Sequence, residues 1–188
     1  MDLDARILTD EHLALRAQTG DPRAYDELVT RYWSRLRGYA YRLAPHSTEI
    51  DDVLQEAFLK AYLNLRSYRP SRHFSPWIYR IVRNTLYDHV RAKRREPLPF
   101  FDPDVLFPHP VARERPDTDA ERKEIREQID AQLDQLDAKY REPLILRYFD
   151  GMSYADIADI LRIPMGTVGV RINRGLSQLR HQQPPMNL

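Results

Sequence analysis

The chain has 188 residues, and its 29 basic against 28 acidic side chains leave a formal net charge of only +1. It contains no cysteine, which excludes disulfides and thiolate metal sites, and no apolar run approaches the roughly 18–20 residues of a membrane span. The acidic start, Met1-Asp2-Leu3-Asp4, lacks the basic and apolar parts of a secretory signal, so a cytosolic protein with no membrane insertion is expected.

The near-neutral total hides an uneven distribution. Residues 1–95 hold 17 basic and 12 acidic side chains, residues 96–120 hold two and six, and no acid follows Asp159. Two basic surfaces separated by an acidic segment suggest two contacts on one nucleic-acid ligand. The pattern is helical on both sides of that segment, and clean period-two alternation is absent. An all-α protein of two small helical domains joined by an extended linker is therefore expected. The domains span residues 1–95 and 120–183, the linker 96–119, and a short tail 184–188.

In chain order, Asp10 is expected to cap a short helix ending near Gly20. Asp21-Pro22 then opens a longer helix that buries Tyr25, Leu28, Val29, Tyr32, Leu36 and Leu43. A third helix, from about Glu49 to Leu65, turns Ile50, Val53, Leu54, Ala57, Phe58, Ala61 and Leu65 inward. Its polar face presents Asp52, Gln55 and Glu56, with Leu59 and Leu63 in their midst. Leucines rimmed by carboxylates suit a basic partner surface; a neighbouring helix covering them is the alternative.

From Leu65 to Arg95 nine basic residues face a single acid, Asp88. The second half of this stretch reads as one amphipathic helix, with Ser75 as cap and Pro76 at its first position. Ile78, Ile81, Val82, Thr85, Leu86 and His89 share one face; Trp77, Arg80, Arg83, Asn84, Tyr87, Arg91, Arg94 and Arg95 share the other. Arginines with an amide and aromatics between them suit a polyanion that also stacks, namely nucleic acid with unpaired bases. Trp77 has a second reading as a packing residue at the helix start, which is the stronger of the two, and Asp88 reads as a surface or ion-pair residue.

Residues 96–119 carry six of the 14 prolines and read as the linker. Beyond it, Ile125, Ile129, Leu133 and Leu136 form a helical stripe. A further helix passes through Leu144 to Phe149 and stops at Gly151, with Pro143 delaying or kinking its start. Ser153-Tyr154-Ala155-Asp156 reads as a capping box for a short helix with Ala155, Ile157, Ala158 and Leu161 inward. After Pro164-Met165-Gly166, Thr167 caps a last helix running to about Arg180, with Val168, Ile172, Leu176 and Leu179 on the core side. This is a helix-turn-helix arrangement. Outward, Thr167, Val170, Arg171, Arg174 and Gln178 can reach base edges or phosphates, Val170 suiting a thymine methyl.

Four segments together resemble the extracytoplasmic-function sigma factors, the smallest class of the sigma-seventy family. They are Gly20-Asp21-Pro22-Arg23-Ala24-Tyr25-Asp26-Glu27-Leu28; Asp51-Asp52-Val53-Leu54-Gln55-Glu56-Ala57-Phe58-Leu59-Lys60-Ala61-Tyr62; Phe74-Ser75-Pro76-Trp77-Ile78-Tyr79-Arg80-Ile81-Val82-Arg83-Asn84; and Tyr140-Arg141-Glu142-Pro143-Leu144 continuing through Ser153–Ala158, Pro164–Val168, Arg171 and Arg174. The resemblance implies that Asp52, Gln55, Glu56, Leu59 and Leu63 dock on the clamp coiled coil of core RNA polymerase. It implies that the Arg80-to-Arg95 helix holds the melted minus-ten strand with Asn84 reading a base, and that the last helix reads the minus-thirty-five duplex. It further implies contact with the polymerase flap, a linker threading the active-site cleft, an anti-sigma partner, and control by an envelope or stress signal. Gly169 and Val170 depart from the family's usual lysine and serine, so weaker or altered upstream readout is expected.

The rival reading is a helix-turn-helix regulator that never docks on polymerase. Catalysis is not expected: the six histidines show no metal-ligand spacing, and no Gly-rich phosphate loop is present. Neither a cofactor nor a metal is expected. Asp51, Asp52 and Glu56 as a magnesium site is a weaker reading than a solvated or partner-facing patch.

Overall fold

A computed structural model describes residues 8–94 and 120–182. The expectations for the linker, for Arg95 and for the tail lie outside the described residues, as does the side chain of Arg94. The elements are α1 (Asp10–Gln18), α2 (Pro22–Leu43), α3 (Ile50–Leu63), a 3₁₀ turn (Leu65–Ser67), α4 (Phe74–Arg94), α5 (Ala120–Asp134), α6 (Ala138–Tyr148), α7 (Tyr154–Leu161) and α8 (Met165–Gln182). No strand occurs among the described residues.

Several helix starts differ from the sequence reading for local reasons. Thr9, not Asp10, caps α1, its hydroxyl accepting the His12 N–H at 3.3 Å. Asp10 is already helical, and its carboxylate accepts from Arg31 at 2.9 Å and from the Tyr32 hydroxyl at 2.6 Å. Asp21 does cap α2, accepting from Arg23 and Ala24 N–H, with Pro22 first in the helix. α4 starts at Phe74, one residue before the expected cap Ser75, because Glu11 of α1 reaches across to accept the Phe74 N–H at 3.1 Å. A carboxylate from another helix thus does the work of a local cap.

In the second half, α6 begins at Ala138 and runs through Pro143, which is buried, so the proline does not delay the start. Gly151 adopts φ +69°, the left-handed conformation that glycine takes at no steric cost, as expected of a helix terminator. The Ser153–Asp156 capping box forms. α8 begins at Met165, two residues ahead of Thr167, whose N–H donates to the Pro164 carbonyl at 2.9 Å; Thr167 is therefore inside the helix.

Expected faces mostly hold. Ile50, Val53, Leu54, Ala57, Phe58, Ala61 and Leu65 are buried, as are Ile78, Val82, Thr85 and Leu86 of α4. Two stripes need correction. Ile125 and Ile129 are exposed, because only the C-terminal part of α5, at Leu133, and Leu136 just beyond it reach the core. On α7 the inward residues are Ile157, Ile160 and Leu161, whereas Ala155 is exposed. Gly175 has a packing role that periodicity could not reveal: a Cβ there would lie 2.8 Å from Leu144 Cδ1 and 3.3 Å from the Tyr140 carbonyl, so α8 and α6 approach at a bare backbone.

Helices α1–α4 form one unit and α5–α8 a second. They are packed together, with α2 and α4 against α6 and α7, so that the apolar core is continuous across the seam.

Candidate nucleic-acid and polymerase interfaces

On α3, Leu59 and Leu63 are 58% and 70% exposed, and Asp52 and Gln55 beside them are open. None of the described helices covers the leucines. Tyr62 is also exposed on this side, with its ring 5.0 Å from Tyr25. The sequence reading missed Tyr62, although its three-residue spacing from Leu59 puts both on neighbouring positions of the helix surface. Glu56 is less free than its neighbours. Lys60 at 2.8 Å, then His89 of α4 at 2.5 Å, hold its carboxylate below the ordinary range. His89, expected on the buried face, is half-exposed because it makes this contact.

The basic face of α4 is not uniformly open. Asn84 and Asp88 are exposed and Arg91 half-exposed. Trp77 is packed against Tyr68 and Phe74, with ring centroids at 5.3 and 5.4 Å, which favours its reading as a packing residue. Arg83 and Tyr87 are buried, contrary to the outward-face expectation, because the second unit covers them.

Their partner there is Glu142 of α6, itself only 2% exposed. Its Oε1 accepts from Arg83 Nε at 2.7 Å and from the Tyr39 hydroxyl at 2.6 Å; its Oε2 accepts from Arg83 Nη2 and the Tyr87 hydroxyl, both at 3.3 Å. Burial opposes the charge on Arg83, but Glu142, with Tyr87 and Tyr39 behind it, outweighs burial and raises the guanidinium pKa. Burial first, and then Glu142, push the Tyr39 and Tyr87 hydroxyls well above the ordinary phenol range.

Around this centre, Arg80 meets Asp159 at 3.1 Å, Arg42 meets Asp130 at 3.0 Å and His73 lies 3.3 Å from Asp156. His46 lies 3.4 Å from Asp134, and Arg72 is 3.8 Å from Asp159. The Tyr79 hydroxyl donates to Asp150 at 2.8 Å, and Arg35 donates to the Asp150 carbonyl at 3.0 Å. In every ion pair described across the seam the basic partner belongs to α1–α4 or its loops and the acid to α5–α8.

The outward residues of α8 are accessible in this arrangement. Val170, Arg174 and Gln178 are exposed, and Thr167 and Arg171 half-exposed. α7 ends at Arg162 in the left-handed conformation, φ 54°, and that turn sets α8 on α7. At Gly169 an added Cβ would meet Tyr154 Cε2 at an ordinary 3.5 Å, so the fold does not demand glycine there.

A helix-turn-helix, α7 and α8, thus packs beside α4 with its arginines and the exposed Asn84. Residues 28–96 match the description of sigma-70 region 2, and residues 126–179 that of sigma-70 region 4. The chain is 36% identical to the RNA polymerase sigma-H factor of Pseudomonas aeruginosa over 94% of its own length and 95% of that protein's. It is 35% identical to the ECF RNA polymerase sigma-E factor of Escherichia coli K12, covering 95% and 96%. Among solved structures it resembles CnrH in complex with the cytosolic domain of CnrY, with TM-score 0.69 and 28% identity over 92% of this chain and 95% of that one. It also resembles the sigma factor RpoE in complex with the anti-sigma factor NepR from Bartonella quintana, with TM-score 0.68 and 25% identity over 84% and 94%. The chain belongs to the sigma-70 family of RNA polymerase sigma factors, in its extracytoplasmic-function group.

Proposed function

We propose that the chain docks on the clamp coiled coil of core RNA polymerase through Asp52, Gln55, Leu59 and Leu63 of α3, with Tyr62 added and Glu56 contributing from its pair with Lys60. α4 then holds the melted minus-ten strand: Asn84 reads a base, while Arg80, Arg83, Arg91, Arg94 and Arg95 hold phosphates. α8 reads the minus-thirty-five duplex through Thr167, Val170, Arg171, Arg174 and Gln178. Binding the single strand better than the duplex drives melting by population shift, and each extruded base costs a few kcal/mol of unstacking that pocket contacts must offset.

The observation that carries this reading is the uncovered leucine pair among carboxylates on α3. Water-exposed leucines at helical spacing are costly for a free surface and useful at an interface. A DNA-binding regulator that works without polymerase has no need of them. The same face suits an anti-sigma partner, since a protein that covered these leucines would compete with polymerase.

The test is co-purification with core polymerase. Wild type is expected to bind, and Asp52→Arg combined with Leu59→Arg to lose binding while keeping its helical content by circular dichroism. Wild-type protein that fails to bind core would overturn the reading.

A further inference from the structure

We propose that His89 is a positioning residue of the α3 docking face: it fixes the Glu56 carboxylate, and its charge sets how strongly that face draws a basic partner, so that docking tightens as His89 loses its proton. This rests on the reading of α3 as the polymerase-docking helix and adds a control on that site. Helical spacing puts His89 on the apolar side of α4, yet its ring is half-exposed at the edge of α3. Nε2 is 2.5 Å from Glu56 Oε2, and Nδ1 is 4.0 Å from Glu49 Oε2. Glu49 stands at the N-cap of α3 but makes no side-chain cap bond there. An acid thus faces each ring nitrogen.

The Glu56 carboxylate is held at both oxygens, Oε1 by Lys60 at 2.8 Å and Oε2 by His89. Lys60 belongs to the same helix, whereas His89 comes from α4 and ties the carboxylate to a point outside α3. Each carboxylate oxygen has a second acceptor site, which remains for a basic group of the partner. Lys60 first, then His89, keep Glu56 below the ordinary carboxylate range, so it stays charged near neutral pH. Imidazole is the side chain whose charge changes there. Among the described residues no ion pair reaches His89 from any other helix, and its neighbours on α4, Asp88 and Arg91, carry opposite charges.

These charges decide the sign. Glu49, Asp52 and Glu56 follow one another at helical spacing along one edge of α3. The imidazolium cancels one of those carboxylates as an approaching cation meets them. Neutral histidine still donates one N–H to Glu56, so the geometry is kept while the edge gains a unit of negative charge. Reciprocally, docking of a basic surface drives the proton off His89.

The test measures binding of the full chain to core polymerase by fluorescence anisotropy at about pH 6 and about pH 8. Wild type is compared with His89→Gln, which keeps an N–H donor without a titrating charge, and with His89→Lys, which keeps the charge at both pH values. Dividing each variant's Kd by that of wild type removes titration of the polymerase itself. At the lower pH, His89→Gln should bind about three- to fivefold tighter than wild type and His89→Lys equally well. At the higher pH, His89→Gln should match wild type and His89→Lys should bind about three- to fivefold weaker. High salt should shrink both differences. Ratios that stay constant with pH, whatever their size, describe a merely structural histidine and overturn the proposal. Wild type that fails to bind core at either pH defeats the docking assignment itself, and the role of His89 with it.

Discussion

Asp150 carries a carboxyl group into the seam, where the Tyr79 hydroxyl donates to Oδ1 at 2.8 Å. Oδ2 is buried and meets no hydrogen-bond donor among the described residues. Burial raises its pKa from 3.8 to about 6, against the lowering influence of Tyr79, Arg35 and Arg42. The closed, folded form therefore prefers the protonated acid. Its contribution is fully present below the unfolded pKa near 4 and is lost as pH rises through about 6. Asp150→Asn removes the charge and keeps a side-chain carbonyl oxygen to accept from Tyr79. It should raise stability by about 1–3 kcal/mol at pH 8, with the gain vanishing below pH 4. Thermal melts of both proteins across that range check the prediction, and a gain independent of pH would contradict it.

At the scale of elements, α8 packs on α6 through Gly175, where the two helices approach at a bare backbone. Gly175→Ala places a methyl group 2.8 Å from Leu144 Cδ1 and 3.3 Å from the Tyr140 carbonyl. Although alanine favours helix by about 1 kcal/mol, overpacking of this kind costs about 1–3 kcal/mol, so a net loss is expected in urea unfolding. An unchanged or raised midpoint would show that α8 shifts without cost. These helices are readable because their apolar residues recur at 3.6-residue spacing, and the Asp21 cap and the Ser153 capping box because they act on their own helix. The start of α4 escapes such reading for the complementary reason: its cap, Glu11, lies on α1 and 63 residues away in the chain. The same holds for Gly175, whose role is defined by a backbone on another helix.

At the scale of the whole molecule, most of the candidate polymerase-docking and upstream-DNA residues lie exposed, while part of the candidate minus-ten face, Arg83 and Tyr87, lies under the second unit. The division into two helical units and the positions of α3, α4 and α8 are legible in residue pattern. The seam is not. Arg80 and Arg83 on one side and Glu142 and Asp159 on the other each read, taken singly, as charges on a helix surface, and no local rule pairs charges 59 or 79 residues apart. Burial of Tyr39, Tyr79 and Tyr87 in that seam is likewise a property of the assembled fold. Arg83 and Tyr87 of α4 are buried under the second unit, while Leu59 and Leu63 of α3 are open.

Run-off transcription with purified core polymerase on genomic DNA fragments, with transcript 5′ ends sequenced, asks whether the chain directs initiation at promoters. Discrete starts that require this chain are expected, each preceded by two shared sequence elements at a fixed spacing. Transcripts no different from those of core polymerase alone would contradict that expectation.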